Sequence, residues 1–266
     1  MLALVTGANG MLGQDLCPVL EDEGFDVIQT DINNLDITDK SHVRSFINSA
    51  KPDIVFHCAA YTNVDKAEED FDSAKKINAV GTENVAGACQ ETNSIMFYIS
   101  TDYVFDGNKT SPYFPNDATN PLNNYGLTKL MGENAVMKTC SKYYIVRTSW
   151  LYGIHGNNFV EKMLELNSDT PLKVVSDQVG SPTWTVDLSA EIVKLLGKPY
   201  GIYHICGGGQ TSRYEWAKEI GINVQPCLSN EFKQKAKRPR YSVMDNNNTC
   251  RHWKDALKEY LFLRDL

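Results

Sequence analysis

The segment Thr6-Gly7-Ala8-Asn9-Gly10-Met11-Leu12-Gly13 constrains this 266-residue chain more than any other. An apolar run with strand character, Leu2–Val5, precedes it, and an amphipathic helical pattern over Leu12–Leu20 follows. Glycines spaced G-x-x-G-x-x-G at such a junction allow a tight turn, close approach of a pyrophosphate to backbone N–H groups, and close packing of helix on strand. The helix N-terminus then faces the anion. Glycine also marks ordinary turns, so the context decides between the two readings. Strand candidates Asp26–Asp31, Ile54–Cys58, Met96–Ser100 and Tyr144–Thr148 alternate with helical patterns over Ser41–Ala50, Ser73–Glu91 and Leu127–Lys138. Such alternation makes βαβ units. It predicts an α/β fold with a Rossmann-type doubly wound parallel sheet.

Beyond residue 150 the pattern loosens. Asn158–Leu166, Asp187–Leu196 and Trp253–Leu263 read as helices, Leu172–Val175 and Gly201–Cys206 as strands, and Lys233–Arg240 as a basic loop. No Pro/Gly/Ser-rich linker divides the halves. Residues 1–150 are expected to form mainly a dinucleotide-binding domain. Residues 151–266 are expected to form mainly a small substrate-binding part interleaved with it, with a cleft between.

Composition narrows the functions open to such a fold. The chain is 42% hydrophobic and 22% charged, an ordinary globular mixture. A net charge of −7 argues against nucleic acid as a partner, since phosphate contacts need a cationic face. No apolar run approaches the ~18 residues that read as a membrane span, and no export signal precedes Leu2, so a cytoplasmic protein with no membrane partner is expected. The seven cysteines are scattered without a Cys-x-x-Cys, and His42, His57, His155, His204 and His252 show no ligand spacing. Neither a disulfide framework nor a metal site is expected. Cys58, Cys89 and Cys206 read as small buried hydrophobes.

Asp31 ends the second strand candidate, eighteen residues beyond Gly13. A carboxylate there accepts hydrogen bonds from adenosine ribose hydroxyls and repels a 2′-phosphate. Its neighbours Thr30, Ile32, Asn33 and Asn34 bring no cation, so NADH is expected to be preferred over NADPH. The competing reading makes Asp31 a turn-initiating residue. Asp36 and Ile37 either flank the adenine or, for Asp36, cap a helix. Tyr125-Gly-Leu-Thr-Lys129 puts a phenol and an ammonium on one helix face. A phenol of pKa ≈ 10 is a poor acid–base group near neutrality, and a nearby ammonium lowers that value. The pair can shuttle a proton to or from a carbonyl oxygen. Ser100 or Thr101, at the end of the fourth strand candidate, supplies a hydroxyl to the same crevice.

In order along the chain stand the Gly loop, Cys58-Ala59-Ala60-Tyr61-Thr62-Asn63-Val64-Asp65-Lys66-Ala67-Glu68, Ser100–Gly107, Tyr125–Lys129 and Asp177-Gln178-Val179-Gly180-Ser181-Pro182-Thr183. Together they resemble the dTDP-4-dehydrorhamnose reductases, within the extended short-chain dehydrogenase/reductases, over nearly the whole chain. The Thr-Asp-Tyr-Val-Phe-Asp-Gly segment is specific to this branch. The resemblance implies NAD(P)H-dependent reduction of the 4-keto group of a nucleotide-linked 6-deoxysugar, dTDP-4-dehydrorhamnose to dTDP-rhamnose, in polysaccharide biosynthesis. It implies Tyr125 as proton donor, Lys129 as the group that holds the nicotinamide ribose and lowers the Tyr125 pKa, and Thr101 as a hydrogen-bond donor to the reacting oxygen. Gly7, Asn9, Gly10, Met11, Leu12, Gly13, Ala59, Ala60 and Tyr61 would join Asp31, Asp36 and Ile37 around the cofactor, with Asn78 supporting the proton relay. Asp102, Tyr103, Phe105 and Trp150 would face the sugar. Arg238 and Arg240, in Lys237-Arg238-Pro239-Arg240, would reach the substrate pyrophosphate.

The segment between Gly209 and Lys237 looks trimmed for this family, and the acids that bridge a metal-linked dimer in some members find no match. No metal is expected, and a monomer or homodimer is. Three alternatives share the fold. A 4,6-dehydratase wants a Glu where Tyr103 stands. A nucleotide-sugar 4-epimerase usually carries Ser-Ser-x-x-Val-Tyr-Gly in place of Thr101–Gly107. A non-catalytic regulatory subunit of the methionine adenosyltransferase type would not need Thr101, Tyr125 and Lys129 together.

Overall fold

Strands buried on both faces cannot stand at a solvated surface, and this chain surrounds them with helices on each side. The computed structural model describes residues 1–232 and 234–264. Strands β1 (Leu2–Thr6), β2 (Asp26–Thr30), β3 (Ile54–His57), β4 (Ile95–Thr101), β5 (Tyr143–Thr148) and β6 (Gly201–His204) form one parallel sheet in the order β2-β1-β3-β4-β5-β6. All four residues of β3 are buried. Side chains alternate across a strand, so Val5, Phe56, Phe97 and Val146 pack under the helices Met11–Asp22 and Thr185–Val193. Leu4, Val55, Tyr98 and Ile145 pack on the other face, against Lys40–Ala50, Thr82–Thr92 and Asn124–Thr139.

The strand order reverses between β1 and β3, because β1 connects outward to β2 and the chain then crosses back to β3. A crevice outside the C-terminal strand ends is the usual ligand site at such a switch. Helices begin where side chains satisfy their free N–H groups. Asp39 accepts from the amides of Ser41 and His42, and Asn123 from that of Gly126.

The second half is less regular than the first, and several of its elements carry no signal in the sequence. Its strand Gly201–His204 joins the main sheet beside β5. Two elements, the strand Val224–Cys227 and the helix Arg213–Ile220, lacked a periodic signal. The strand pairs in parallel with Leu172–Val175, and the helix buries Trp216 and Ala217 against Trp253 and Tyr260. In the first half, the helix expected over Ser73–Glu91 is broken by a π-helical stretch, Lys76–Gly81. Such bulges recur at functional sites because they turn side chains out of helical register. Among the described residues no helix is long and apolar enough to cross a membrane, and no group of acidic, His and Cys side chains could hold a metal ion. All seven cysteines are free. Cys89 and Cys206 are buried, whereas Cys58 is only partly so and borders the crevice.

Candidate active site

A cavity of about 970 Å³ lies at the switch point. That is the upper end of the ~300–1,000 Å³ usual for ligand pockets, and it suits two ligands end to end. At one end run Gly7, Gly10, Met11, Leu12 and Gly13. Gly7 has φ +68°, and a Cβ there would sit 2.7 Å from the Cα and N of Ala59. Only glycine lets the β1 turn lie so close to the segment after β3. Gly10 caps the helix Met11–Asp22 without any side-chain bond, so the first-turn N–H groups stay available to an anion. Ala59 and Ala60 line the same stretch. Asn9 does not; its amide donates to Asp31 Oδ2 (3.1 Å) and its carbonyl accepts from Gln14 Nε2 (2.9 Å).

Asp31 lines the cavity and accepts from the amide of Ile32 through its other oxygen (2.7 Å), which ties the end of β2 to the Gly loop. Asp36 also lines it, and hydrogen bonds from the Thr38 amide and hydroxyl (2.9 and 2.8 Å) hold its carboxyl below the usual range. The helix cap nearby is Asp39. Ile37 lines the cavity while its side chain packs where a Gly81 Cβ would otherwise stand.

Thr101 ends β4. Its hydroxyl donates to Asp102 Oδ1 and accepts from the Tyr103 amide, both at 3.1 Å. Ser100 gives its own hydroxyl to the buried Glu133 carboxylate at 2.5 Å, so Thr101 is the strand-end hydroxyl beside Tyr125, and it must turn from Asp102 to donate to a bound oxygen. The Asn123 cap starts the helix that carries Tyr125 and Lys129, and both line the cavity. Burial pushes the Tyr125 phenol above its ordinary range; the Thr101 hydroxyl opposes this, and Asp102 and Tyr103 add to it. Lys129 is 2% exposed, with Nζ 4.1 Å from the centre of the Tyr98 ring. Burial pulls its pKa to about 7, against the Glu133 carboxylate and Cys58, which hold it up. The expectation that Lys129 lowers the Tyr125 pKa is not met: burial holds the phenol protonated, and Lys129 is not among the groups that move it. Tyr125 is thereby kept in the form that can give a proton to a bound carbonyl oxygen.

Glu133 stands in no motif of the sequence, yet it anchors the site. It is fully buried and takes a two-pronged ion pair from Arg147 (Nε 2.9 Å, Nη2 2.7 Å). Tyr125, Lys129 and Glu133 recur at intervals of four, which is the signal that would have placed all three on one face.

Asp102, Tyr103 and Trp150 line the far end. Asp102 is 2% exposed, burial raises its pKa to about 6, and its Oδ2 has no partner among the described residues. Tyr103 stands edge-on to Tyr125, with ring centres 6.0 Å apart. Trp150 has φ +47°, a left-handed conformation that is costly for a bulky residue and is kept where surrounding packing fixes it.

Besides Asn9, five residues expected at the site lie outside the cavity lining. Phe105 is fully buried, stacked on Tyr113 at 4.2 Å and capped by the Arg147 guanidinium, so it belongs to the core and not to the sugar pocket. Asn78 is also fully buried. It grips the backbone of Tyr61 at both amide (2.8 Å) and carbonyl (3.1 Å) and donates to Thr128 Oγ1 (3.0 Å), so it braces the loop after β3 without lining the cavity. Tyr61, held this way, is likewise outside the lining, with its hydroxyl buried and unpartnered among the described residues. Arg240 is exposed and outside the cavity. Arg238 is locked on Asp65 through both guanidinium nitrogens (3.1 and 2.7 Å), although it faces the Tyr103 phenol. Of the basic loop, Lys233 lies outside the described residues. A cation not expected from the sequence, Arg213, lines the cavity instead.

The family model described as the RmlD substrate binding domain matches residues 1–263. The chain is 41% identical to the spore coat polysaccharide biosynthesis protein SpsK of Bacillus subtilis, over 97% of this chain and 96% of that one. A dTDP-4-dehydrorhamnose reductase from Clostridium acetobutylicum superposes with a TM-score of 0.96 at 47% identity, covering 100% of both chains. Another, from Bacillus anthracis and in complex with NADP, superposes with a TM-score of 0.94 at 40% identity, covering 98% of this chain and 99% of that one. By sequence and by fold, the chain belongs to the RmlD family of dTDP-4-dehydrorhamnose reductases.

Proposed function

We propose that this protein reduces the 4-keto group of a dTDP-linked 4-keto-6-deoxysugar, converting dTDP-4-dehydrorhamnose to dTDP-rhamnose. The observation that carries the reading is that Thr101, Tyr125 and Lys129 border one cavity whose other end is the Gly7–Gly13 loop. The close approach of Gly7 to Ala59 and the free first turn at Gly10 fit a dinucleotide pyrophosphate. A bound nicotinamide supplies hydride to C4. The chain supplies the proton: Tyr125 gives its phenolic hydrogen to O4 as negative charge develops there. The Lys129 ammonium stabilises the phenolate left behind, and the Thr101 hydroxyl donates to the same oxygen. Residues 1–150 then serve mainly the cofactor and residues 151–266 mainly the substrate. The constellation is complete within one chain, so a monomer suffices and a homodimer would carry two such sites.

NADH is the preferred cofactor on this reading, because the Asp31 carboxylate lines the adenosine end and would repel a 2′-phosphate. The presence of Lys76 in the same lining favours a second reading, in which NADPH is also accepted. Turnover with each cofactor, followed by loss of its reduced form, tests both. A higher kcat/KM with NADH supports the Asp31 argument, and a clear preference for NADPH refutes it. Net oxidation of cofactor also separates a reductase from a 4-epimerase, which returns its cofactor unchanged, and from a non-catalytic subunit.

A further inference from the structure

Three cations line the cavity among the described residues: Lys76 at the adenosine end, Lys129 beside the reacting oxygen, and Arg213. Arg213 belongs to none of the ion pairs among the described residues. Its guanidinium lies 3.6 Å from the centre of the Trp150 ring, with Phe159 and Trp216 at 4.9 and 5.4 Å. Burial lowers its pKa to about 10, although the Tyr103 phenol and Asp102 carboxyl face it and oppose the shift. A desolvated guanidinium on an aromatic bed, touched by the Tyr103 phenol and not closed into an ion pair, keeps N–H donors for an incoming anion.

The chain builds this arrangement deliberately, from distant pieces. Val179 and Gly180 pair antiparallel with Ser212 and Thr211. The Gln178 carbonyl accepts from the Arg213 amide, and the Ser212 hydroxyl caps the helix that Arg213 opens. A Cβ on Gly180 would come within 2.5 Å of the Trp150 indole. The Asp177–Thr183 motif therefore both makes room for Trp150 and lays Arg213 over it.

We propose that Arg213, seated on Trp150, binds the diphosphate of the nucleotide-sugar substrate; the inference rests on the substrate class proposed above. C4 and C1 face each other across a pyranose ring. A sugar with its carbonyl at Tyr125 thus directs its diphosphate away from Tyr125, past Tyr103 and toward the groups Tyr103 faces. Arg238 also faces that phenol, but Asp65 already neutralises it. With a net charge of −7, the protein needs a local cation for this anion. The fork of Arg213 can meet it with two parallel hydrogen bonds.

The test uses Arg213→Met and Arg213→Lys in the full chain, with circular dichroism as a check on folding. Binding of dTDP, thymidine and NADPH is titrated separately, and KM and kcat are measured for the nucleotide sugar. Arg213→Met should weaken dTDP by roughly 30-fold or more, leave thymidine and NADPH unchanged, and raise KM far more than it lowers kcat. Arg213→Lys keeps the charge but not the fork and should fall between; if the Met variant does not fold, the Lys variant carries the test. Unchanged dTDP binding in the folded variants overturns the proposal. So does equal loss of thymidine and dTDP, which marks a structural role, or loss of NADPH alone, which marks a cofactor phosphate. Wild-type protein that binds dTDP through Arg213 yet reduces no 4-keto sugar refutes the proposed reaction and leaves the anion site standing. Turnover with an unaltered KM in the variants does the reverse.

Discussion

The two ends of the cavity are built in different ways. The core of the cofactor end, its phosphate loop, comes from one contiguous stretch, residues 6–13, whose backbone makes the turn and whose helix supplies the free N–H groups. The substrate end comes from side chains on separate elements: Tyr103 after β4, Trp150 after β5, Gly180 beneath the indole and Arg213 above it. A site made of local backbone announces itself through residue spacing. A site made of side chains gathered by tertiary contacts does not, because each residue alone looks like core or solvated surface.

Removing the proton donor where the two ends meet should have the largest effect. Tyr125→Phe keeps the ring and loses the hydroxyl, so kcat should fall by ~10²–10⁴. Cofactor affinity, measured by fluorescence titration, should hold. A variant retaining most of its turnover would remove Tyr125 from the chemistry.

Next come two glycine substitutions that separate the ends. In Gly180→Ala the new Cβ displaces the Trp150 indole, and overpacking of this kind costs about 1–3 kcal/mol. The cost should appear as a higher nucleotide-sugar KM with an unchanged NADH Kd. Gly7→Ala, strained in φ and blocked by Ala59 backbone, should show the mirror pattern, with weaker NADH and unchanged thymidine binding. If both variants damage both ligands equally, the ends are not independently built.

The pH profile probes the junction more gently. The Lys129 pKa is lowered to about 7, so the ammonium is present below that pH and lost above it. The reduction needs this cation, and kcat/KM in the reductive direction should decline as pH rises through about 7. Tyr125 is displaced upward and stays protonated throughout. A rate that climbs across the same range would contradict the assignment of Lys129. The smallest effect is expected from Asp31→Ala, which should shift the NADH:NADPH ratio of kcat/KM toward NADPH by roughly tenfold, about 1.4 kcal/mol.

The parallel sheet was legible because its strands are short apolar runs separated by helical patterns, and the structure places all five first-half candidates in one sheet. The sixth strand, Gly201–His204, reads as a strand, but nothing local says that it returns to β5. Phe105 illustrates a different limit. An aromatic inside a functional motif has the same letter whether it faces ligand or core, and here it stacks on Tyr113. Asn78 escaped correct placement because it sits in a π-helical turn that helical periodicity does not anticipate. Arg238 and Arg240 drew attention as the densest positive charge along the chain. Charge density in sequence says nothing about Asp65, which lies 173 residues away from Arg238 and pairs with it. Arg213 stood alone in sequence and is the cation that reaches the cavity.

The central claim is that this cavity carries out a net reduction at C4, with the proton drawn from Tyr125. Its most direct test is incubation of the protein with a dTDP-4-keto-6-deoxysugar and NADH or NADPH deuterated at the transferring position, with NMR of the product. The account predicts one reduced cofactor consumed per product, deuterium bound at C4, and no such product from Tyr125→Phe on the same timescale. Product lacking deuterium at C4, or sugar interconverted without net loss of reduced cofactor, would contradict it.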